Sequence, residues 1–581
     1  MKLRTVLSAF LIALASSAVH AQTNEPGQAA PPAAARASAR ELPPDTKAYQ
    51  EATRITDPAK KIEALEKFKK DFPDSASVTN ANVNILSTLA SSTPGQTARI
   101  RNFAKETYKG AKDKKEKGSL AGQIADTLLT NDVLLKDAEK YAKTSLEAMN
   151  QAEFIADQKA QFAKRAAGRG GRGGRGGRGG QPPTDEDLVK RFNQSRALRL
   201  ATLGRIEFKL GKTAVAQKLL DESYAANSDQ PVVAAALGEL AAKRGDNAKA
   251  LDYLVTARLA GHATGSANEA LVSVYGKTHN GSPAGLDDLL DAEYHKRFPN
   301  PLHLEAYRPT AKRSDRMVLA EVFTGSGCPP CVGADLAFEA AMERYPREDL
   351  AVLMYHQHVP RPDPMTNSDT QARSKYYNVT GVPTYAIDGA TVPFNGADRE
   401  GTKDVFDHIQ PLIEKGLETP AEEKIVVHAS ASGNAVKVTA DVDAAKSQSK
   451  DLKIQILLVE KELRYSGENG IRFHPMVVRA MGGKDDDGFP LAPGAPASVE
   501  QDWDLDKLSA SLKTQLDDYE AKGHRGSPFK FIEKKYQIDP GDLAIVVFVQ
   551  DAKTKHILQA AYVDLNPAAP HLPTSNANQP K

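Results

Sequence analysis

The chain has 581 residues, enough for three or four domains. Charged residues make up 26% and the net charge is +2 at pH 7, which excludes a global nucleic-acid signature and fits an ordinary soluble chain. With 2 cysteines in the whole length, disulfides as a general stabilising framework are excluded too.

Residues 1–21 read as a secretion signal. Lys2 and Arg4 form the basic start, Val6 to Ala18 the apolar centre, and Val19-His20-Ala21 the small-residue cleavage site. The apolar run is too short to persist as a spanning helix, and no later stretch is long and apolar enough to cross a membrane. No cysteine stands near the cleavage point, so the expected mature chain is periplasmic or secreted and not a lipoprotein. Residues 22–45, rich in Ala, Pro and Gln, read as a disordered tether.

From 46 to 300 the pattern is helical. Ile62, Leu65 and Phe68 mark one helix face, and further helices are predicted over Asn80–Leu89, Ala98–Tyr108, Leu120–Leu129 and Leu135–Met149. The Arg/Gly run at 168–180 reads as a flexible cationic loop, with contact to an anionic surface as the lesser reading. RNA binding is set aside because the signal sends the chain away from RNA, so no nucleic-acid partner is expected. Next a period appears. Leu203-Gly204 recurs as Leu237-Gly238, Gly211 as Gly245, Ala216 as Ala250 and Leu220 as Leu254, each at an offset of 34 residues. That is the length of a tetratricopeptide repeat, a helix–turn–helix unit whose stacks offer a concave face to protein partners or serve as spacers. Tyr275 and Ala284 continue it weakly, and Ala64 and Phe68 fit the same template.

Both cysteines lie in Phe323-Thr324-Gly325-Ser326-Gly327-Cys328-Pro329-Pro330-Cys331. A pair so close cannot staple distant parts of a fold; it is a redox switch or half of a metal site. Met317 to Phe323 reads as a buried strand. Val332 to Tyr345 reads as a helix, with Leu336, Phe338, Ala341, Met342 and Tyr345 at helical spacing. Cys328 therefore sits where a strand turns into a helix, where free backbone N–H groups and the helix dipole are expected to stabilise a thiolate. Pro329 and Pro330 suit the first helical turn. A strand, Leu350 to Tyr355, then ends in His356-Gln357-His358 and a proline-rich loop to Pro364. A helix over Ser368–Tyr377 leads to Gly381-Val382-Pro383-Thr384-Tyr385, a strand to Ile387, a turn at Asp388-Gly389 and a helix from about Arg399 to Lys415.

Strand, CxxC, helix, and later Val-Pro-Thr opening a strand: this order resembles the thioredoxin superfamily, over residues 314–418. The resemblance implies that Cys328 is the attacking thiol, Cys331 the resolving thiol, and that the two form a reversible disulfide. It also implies a cis-proline at Pro383 packed on the pair, with Val382, Pro383 and Thr384 docking the substrate. On this reading no cofactor and no metal are bound. The partners are protein thiols or disulfides and a redox protein that donates or accepts electrons. Pro-Pro between the cysteines lacks the histidine of the superfamily's strong oxidants, which points to a reductant or an intermediate potential.

Three positions depart from the family. Gly327 stands where a Trp is usual, Val322 where a buried Asp is usual, and the gap from CxxC to the proline is long. Glu321, on the other face of the strand, and His358 are the candidates for tuning the thiols. His356 and His358 point the same way and with two thiolates would complete a four-ligand set. The readings, in order, are a thiol–disulfide oxidoreductase, a non-catalytic repeat adaptor with a docking domain, and a Cys/His metal carrier.

From 423 to 566 the period changes to two. Lys424–Ser430 and Ala435–Val442 flank Gly433-Asn434 as a hairpin, and Leu452–Val459, Leu543–Gln550 and His556–Val563 are further strands. A helix over Leu505–Tyr519 and a loop around Phe473-His474-Pro475-Met476 interrupt them; Arg472, His474 and Arg479 are expected at the surface or in loops, with polar site residues as the lesser reading. The region resembles a β-sandwich appended to secreted thioredoxin-like proteins. Residues 567–581 read as a disordered tail. The expected fold class is multidomain α+β: a tetratricopeptide-like solenoid, a central thioredoxin-like α/β domain and a β-sandwich-like domain.

Overall fold

The computed structural model describes residues 42–169, 182–228, 230–261, 264–393, 396–443, 446–483, 488–524 and 529–565. The expected signal (1–21), the tether as far as 41, residues 170–180 of the Arg/Gly run and the tail 567–581 lie outside the described residues.

The first half is an array of helices: α1 (Pro44–Arg54), α2 (Pro58–Asp71), α3 (Val78–Ser92), α4 (Thr97–Lys109), α5 (Lys114–Thr130), α6 (Leu135–Glu147), α7 (Gln151–Arg169), α8 (Asp185–Lys209), α9 (Thr213–Ala226), α10 (Pro231–Arg244), α11 (Asn247–Leu259), α12 (Gly265–Thr278) and α13 (Leu286–Arg297). Their starts follow local chemistry. Asp57, Asp113 and Asp246 accept backbone N–H groups at the heads of α2, α5 and α11, and Thr184 forms a capping box with Asp187 on α8. The 34-residue period is a pair of helices. Gly204 and Gly238 lie so close to the partner helix that an added Cβ would come within 2.8 Å of Leu220 Cγ and 2.5 Å of Leu254 Cγ respectively. Gly211 and Gly245 take φ of +80° and +79° in the matching turns, a left-handed backbone that glycine adopts without cost. The 46–300 segment is a helical repeat array.

The second half is built on a nine-stranded mixed sheet. Its strands are β1 (Val318–Thr324), β2 (Leu350–His356), β3 (Thr384–Ile387), β4 (Ala390–Thr391), β7 (Leu452–Arg464), β8 (Phe473–Met481), β9 (Phe489–Pro490), β11 (Leu543–Asp551) and β12 (Ile557–Asp564). The order is β12-β11-β7-β8-β2-β1-β3-β4, with β9 pairing β7. β1 runs parallel to β2 and antiparallel to β3, and β2 meets β8 in parallel at Met354 and Val477. Helix α14 (Val332–Arg344) packs with α16 (Thr402–Leu417) on one face, and α15 (Ser368–Tyr376) packs on β2 and β8. A three-stranded antiparallel sheet, β5 (Ile425–Ser432), β6 (Ala435–Val442) and β10 (Ala497–Asp504), is followed by α17 (Leu505–Lys522).

The boundary expected between 418 and 423 does not divide the sheet. Alternation along the shared strands explains why. On β11, Ala544, Val546 and Phe548 enter the core that holds Val322 and Phe338, while Leu543, Ile545, Val547 and Val549 enter the core under the three-stranded sheet. β7 does the same, with Leu457 and Val459 on one side and Ile454, Ile456 and Leu458 on the other. Strands buried on both faces belong to two cores at once, so β7, β8, β9, β11 and β12 extend the CxxC sheet, and the separate three-stranded sheet packs over that extension. The loop expected at Phe473–Met476 is likewise the first part of strand β8.

The array is fastened to the sheet. Arg258 of α11 pairs with Glu533, and Arg399 donates to the carbonyls of Phe298 and Pro299 at 3.1 Å each.

Candidate functional site

β1 ends at Thr324, and Gly325-Ser326-Gly327 carries the chain to a disulfide between Cys328 and Cys331. Pro329–Cys331 form a single 3-10 turn that runs into α14. The Val382–Pro383 peptide is cis, and the Val382 carbonyl oxygen lies 3.6 Å from Cys328 Sγ. Gly396 closes the other side, where an added Cβ would sit 2.1 Å from the Pro330 oxygen and 2.5 Å from Pro383 Cγ. The site thus brings Cys328, Cys331, Val382 and Pro383 together, with the Thr384 hydroxyl turned to the Gly381 carbonyl at 2.8 Å.

One expectation about this turn is corrected. The first-turn N–H groups are not free for a thiolate. Pro329 and Pro330 have none, Cys331 donates to the Cys328 carbonyl, Val332 to the Pro329 carbonyl and Gly333 to the Ala397 carbonyl. The helix dipole still favours negative charge on Cys328. Both cysteines are also covered, Cys328 being 1% and Cys331 0% exposed, although Pro329 and Pro330 between them face solvent.

A buried acid that the sequence reading passed over sits beside the pair. Asp335 lies four residues after Cys331, so the two share a helix face at adjacent turns. Burial pushes its carboxyl up to about 7, against the lowering effect of the Thr324 hydroxyl, which donates to both its oxygens at 2.7 and 2.9 Å. The signal for it was an acid one helical turn past the second cysteine.

Next to it, Asp363 organises the approach to Cys328. One oxygen accepts the Ser326 N–H at 2.6 Å and meets His356 Nδ1 at 2.9 Å; the other accepts the Met365 N–H at 2.8 Å. Burial raises this carboxyl, but His356 and the two N–H groups outweigh it and hold it well below the usual range. His356 is thus held through Nδ1 by Asp363, which leaves its buried Nε2 without a partner. His358 accepts the Asp363 N–H on Nδ1 at 3.0 Å, and its ring lies 3.9 Å from that of Tyr519. Burial pushes His358 down to about 4, so it is neutral at pH 7.

Glu321 is on the face away from α14, fully buried. Arg373 of α15 donates to it twice, at 2.7 and 3.1 Å, and the hydroxyls of Tyr355 and Tyr377 donate as well. Gln550 of β11 accepts from Arg373 at 2.8 Å and completes the network. These partners hold Glu321 away from the cysteines. Arg472, His474 and Arg479, expected at the surface or in loops, are buried: Arg472 against Asp287 and Asp291 of α13, His474 against the Tyr465 carbonyl, and Arg479 against Glu460 of β7 and the Lys535 carbonyl. His474 Nε2 donates to the Tyr465 carbonyl at 2.9 Å, and burial pushes this histidine down to about 3.

Fold and site together define a helical repeat array joined to a mixed α/β sheet with a CxxC disulfide at a strand–helix junction. No family model matches the chain, and no curated protein does either. Among solved structures it is similar to HBP35 of Porphyromonas gingivalis, at 16% identity and a TM-score of 0.30, over 46% of this chain and 81% of that one. It is also similar to the APC/C hetero-tetramer Cut9–Hcn1, at 15% identity and a TM-score of 0.19, over 43% of this chain and 44% of that one. At such scores neither likeness defines the fold, which rests on the topology above. No helix among the described residues is long and apolar enough to cross a membrane.

Proposed function

We propose that the chain is a secreted or periplasmic thiol–disulfide oxidoreductase of the thioredoxin superfamily. The observation that carries this reading is the Cys328–Cys331 pair at the end of β1, set against the Val382 carbonyl with Asp335 one turn behind. In the reductive direction the Cys328 thiolate attacks one sulfur of a protein disulfide. A Cys328–substrate bond forms and the other substrate sulfur leaves as a thiolate. Cys331 then passes its proton to Asp335 and attacks Cys328 Sγ, which expels the second substrate sulfur and restores the Cys328–Cys331 disulfide. Two electrons move from the pair to the substrate, and a separate redox protein must return them. The helical array is the surface proposed for a protein partner.

A second reading, the non-catalytic adaptor, is favoured by the burial of both cysteines, since a disulfide kept from solvent serves the fold rather than exchange. One experiment separates the two. The full chain is equilibrated in thiol–disulfide buffers of graded potential and analysed by alkylation and mass spectrometry, with circular dichroism on the same samples. A catalytic pair gives a reversible two-electron transition in a folded protein. A pair reduced only on unfolding sinks the redox reading and leaves the adaptor.

A further inference from the structure

The connection between β7 and β8, residues 465–472, is longer than a hairpin needs and spans from the helical array to the disulfide. Its tip grips the chain just ahead of Cys328. Asn469 donates its backbone N–H to the Ser326 carbonyl at 2.9 Å and its side-chain amide to the Gly325 carbonyl at 3.3 Å. Gly467 lies so close that an added Cβ would come within 2.5 Å of the Ser326 oxygen. Ile471 packs on Val332 and Leu336 of α14. From the tip, Glu468 reaches Arg361 at 3.3 Å, and Arg361 lies over Gly327, where an added Cβ would meet its Cβ at 2.7 Å.

The base of the same connection belongs to the array. Arg472, 1% exposed, donates to Asp291 at 2.6 Å, to the Asp287 carboxylate at 2.9 Å and to Ser466 Oγ at 3.2 Å. Both aspartates are on α13. Phe473 lies between Tyr294 and His295 of that helix, with ring centroids 5.5 and 4.8 Å away. The turn after α11 also touches the connection, since a Cβ on Gly261 would sit 2.2 Å from the Gly467 oxygen.

We propose that residues 465–472 form a strap by which the helical array determines which thiols and disulfides reach Cys328, with Arg472 as its positioning residue. The inference rests on the redox reading above. The strap has two unequal fastenings. At its base the buried Arg472 cation is paired with the mostly buried Asp291 and with the exposed Asp287, and stripping a buried cation of its partners is costly. At its tip, beside the two Asn469 bonds and the Ile471 packing, the more open Arg361–Glu468 ion pair is weak and screened by salt. The Arg361–Glu468 contact therefore opens first, over Gly327, while the base keeps the strap in register. A small thiol needs little of that opening and a peptide needs all of it.

The test uses the full-length oxidised chain and two reductants, dithiothreitol and a ten-residue peptide with one cysteine, with initial rates read by quenched alkylation. Glu468→Ala should speed the peptide reaction about threefold and the dithiothreitol reaction less than twofold, with an unchanged circular dichroism spectrum. Added salt should speed the peptide reaction of the unaltered chain and not that of the variant. Asp287→Asn with Asp291→Asn should shift the ratio of the two rates in the same direction. A ratio that stays constant in all variants, while the unaltered disulfide reacts with both thiols, overturns the strap and leaves the redox reading standing. A folded disulfide that reacts with neither thiol in any variant overturns both.

Discussion

The Thr324 hydroxyl holds both carboxylate oxygens of Asp335, at 2.7 and 2.9 Å, and so fixes an acid one helical turn beyond Cys331. The acid's carboxyl is raised from 3.8 to about 7. The native protein therefore binds more protons than the unfolded chain between those values. The cost of keeping Asp335 ionised appears as pH rises through that window and is complete above it. Asp335→Asn removes the titration. Its stability relative to the unaltered chain should improve by roughly 2–4 kcal/mol between pH 4 and pH 8, measured by urea denaturation of the oxidised proteins. Resolution of a mixed disulfide should slow about a hundredfold if Asp335 takes the Cys331 proton. A pH-independent difference in stability would contradict the assignment.

His474 gives the opposite slope. Its value falls from 6.5 to about 3 on folding, because burial disfavours the imidazolium. The stability that goes with the neutral ring is complete above 6.5 and is lost as pH falls towards 3. His474→Gln can keep the donor to the Tyr465 carbonyl and does not titrate. Between pH 7 and pH 5 it should lose roughly 2 kcal/mol less than the unaltered chain, as read by urea denaturation.

Glu321 separates stability from reactivity. It is fully buried and paired with Arg373 on the face opposite α14. Glu321→Ala leaves an uncompensated guanidinium in the core and should cost about 3–5 kcal/mol. The rate at which dithiothreitol reduces the folded disulfide should stay within about twofold, since none of the partners of Glu321 touches the cysteines. A tenfold rate change without loss of stability would make Glu321 a tuning group after all.

What could be read from sequence depended on whether the physical cause was local. The CxxC at a strand–helix junction, the Val-Pro-Thr segment and the 34-residue period were visible because a turn or a close helix approach restricts which residues fit. The extended sheet was not. Ile454 to Val459 and Leu543 to Val549 are apolar on both faces, and such runs do not reveal which sheet they join. Asp335 was hidden because an acid in the first turn of a helix is ordinarily a solvated partner of the dipole. In sequence Arg472 reads as a surface residue, because its partners, Asp287 and Asp291, are far away along the chain.

The repeat glycines are distinguishable by how they are used. Gly245 has open space around its missing Cβ and only its φ of +79° to satisfy, so Gly245→Ala should cost about 1 kcal/mol. Gly238 has ordinary backbone but would push its Cβ into Leu254, 2.5 Å away, so Gly238→Ala should cost about 1–3 kcal/mol. Thermal denaturation of the full chain gives the order. Equal costs would mean that the helix pair relaxes around the extra methyl.

The proposed roles of the two cysteines differ by position. Cys328 precedes the helix and faces the Val382 carbonyl, just after the Gly325–Gly327 segment that the strap tip and Arg361 cover. Cys331 has no exposure, lies inside the first turn and shares a face with Asp335. On the proposed function, a substrate sulfur that enters after the strap yields would meet Cys328 first, where the dipole favours a thiolate over one a turn further in. Cys331→Ser removes the group that would release the substrate, and a chain with 2 cysteines has no third thiol to replace it. The Cys331→Ser chain should therefore accumulate covalent complexes that reductant dissolves, and Cys328→Ser should not. Non-reducing gels of each variant after exposure to a protein disulfide read the outcome directly. Equal trapping by both variants would reverse or dissolve the roles. Trapping by neither, with an unaltered chain that also fails to reduce the added disulfide, would leave the pair as a structural bond and the helical array as the working surface.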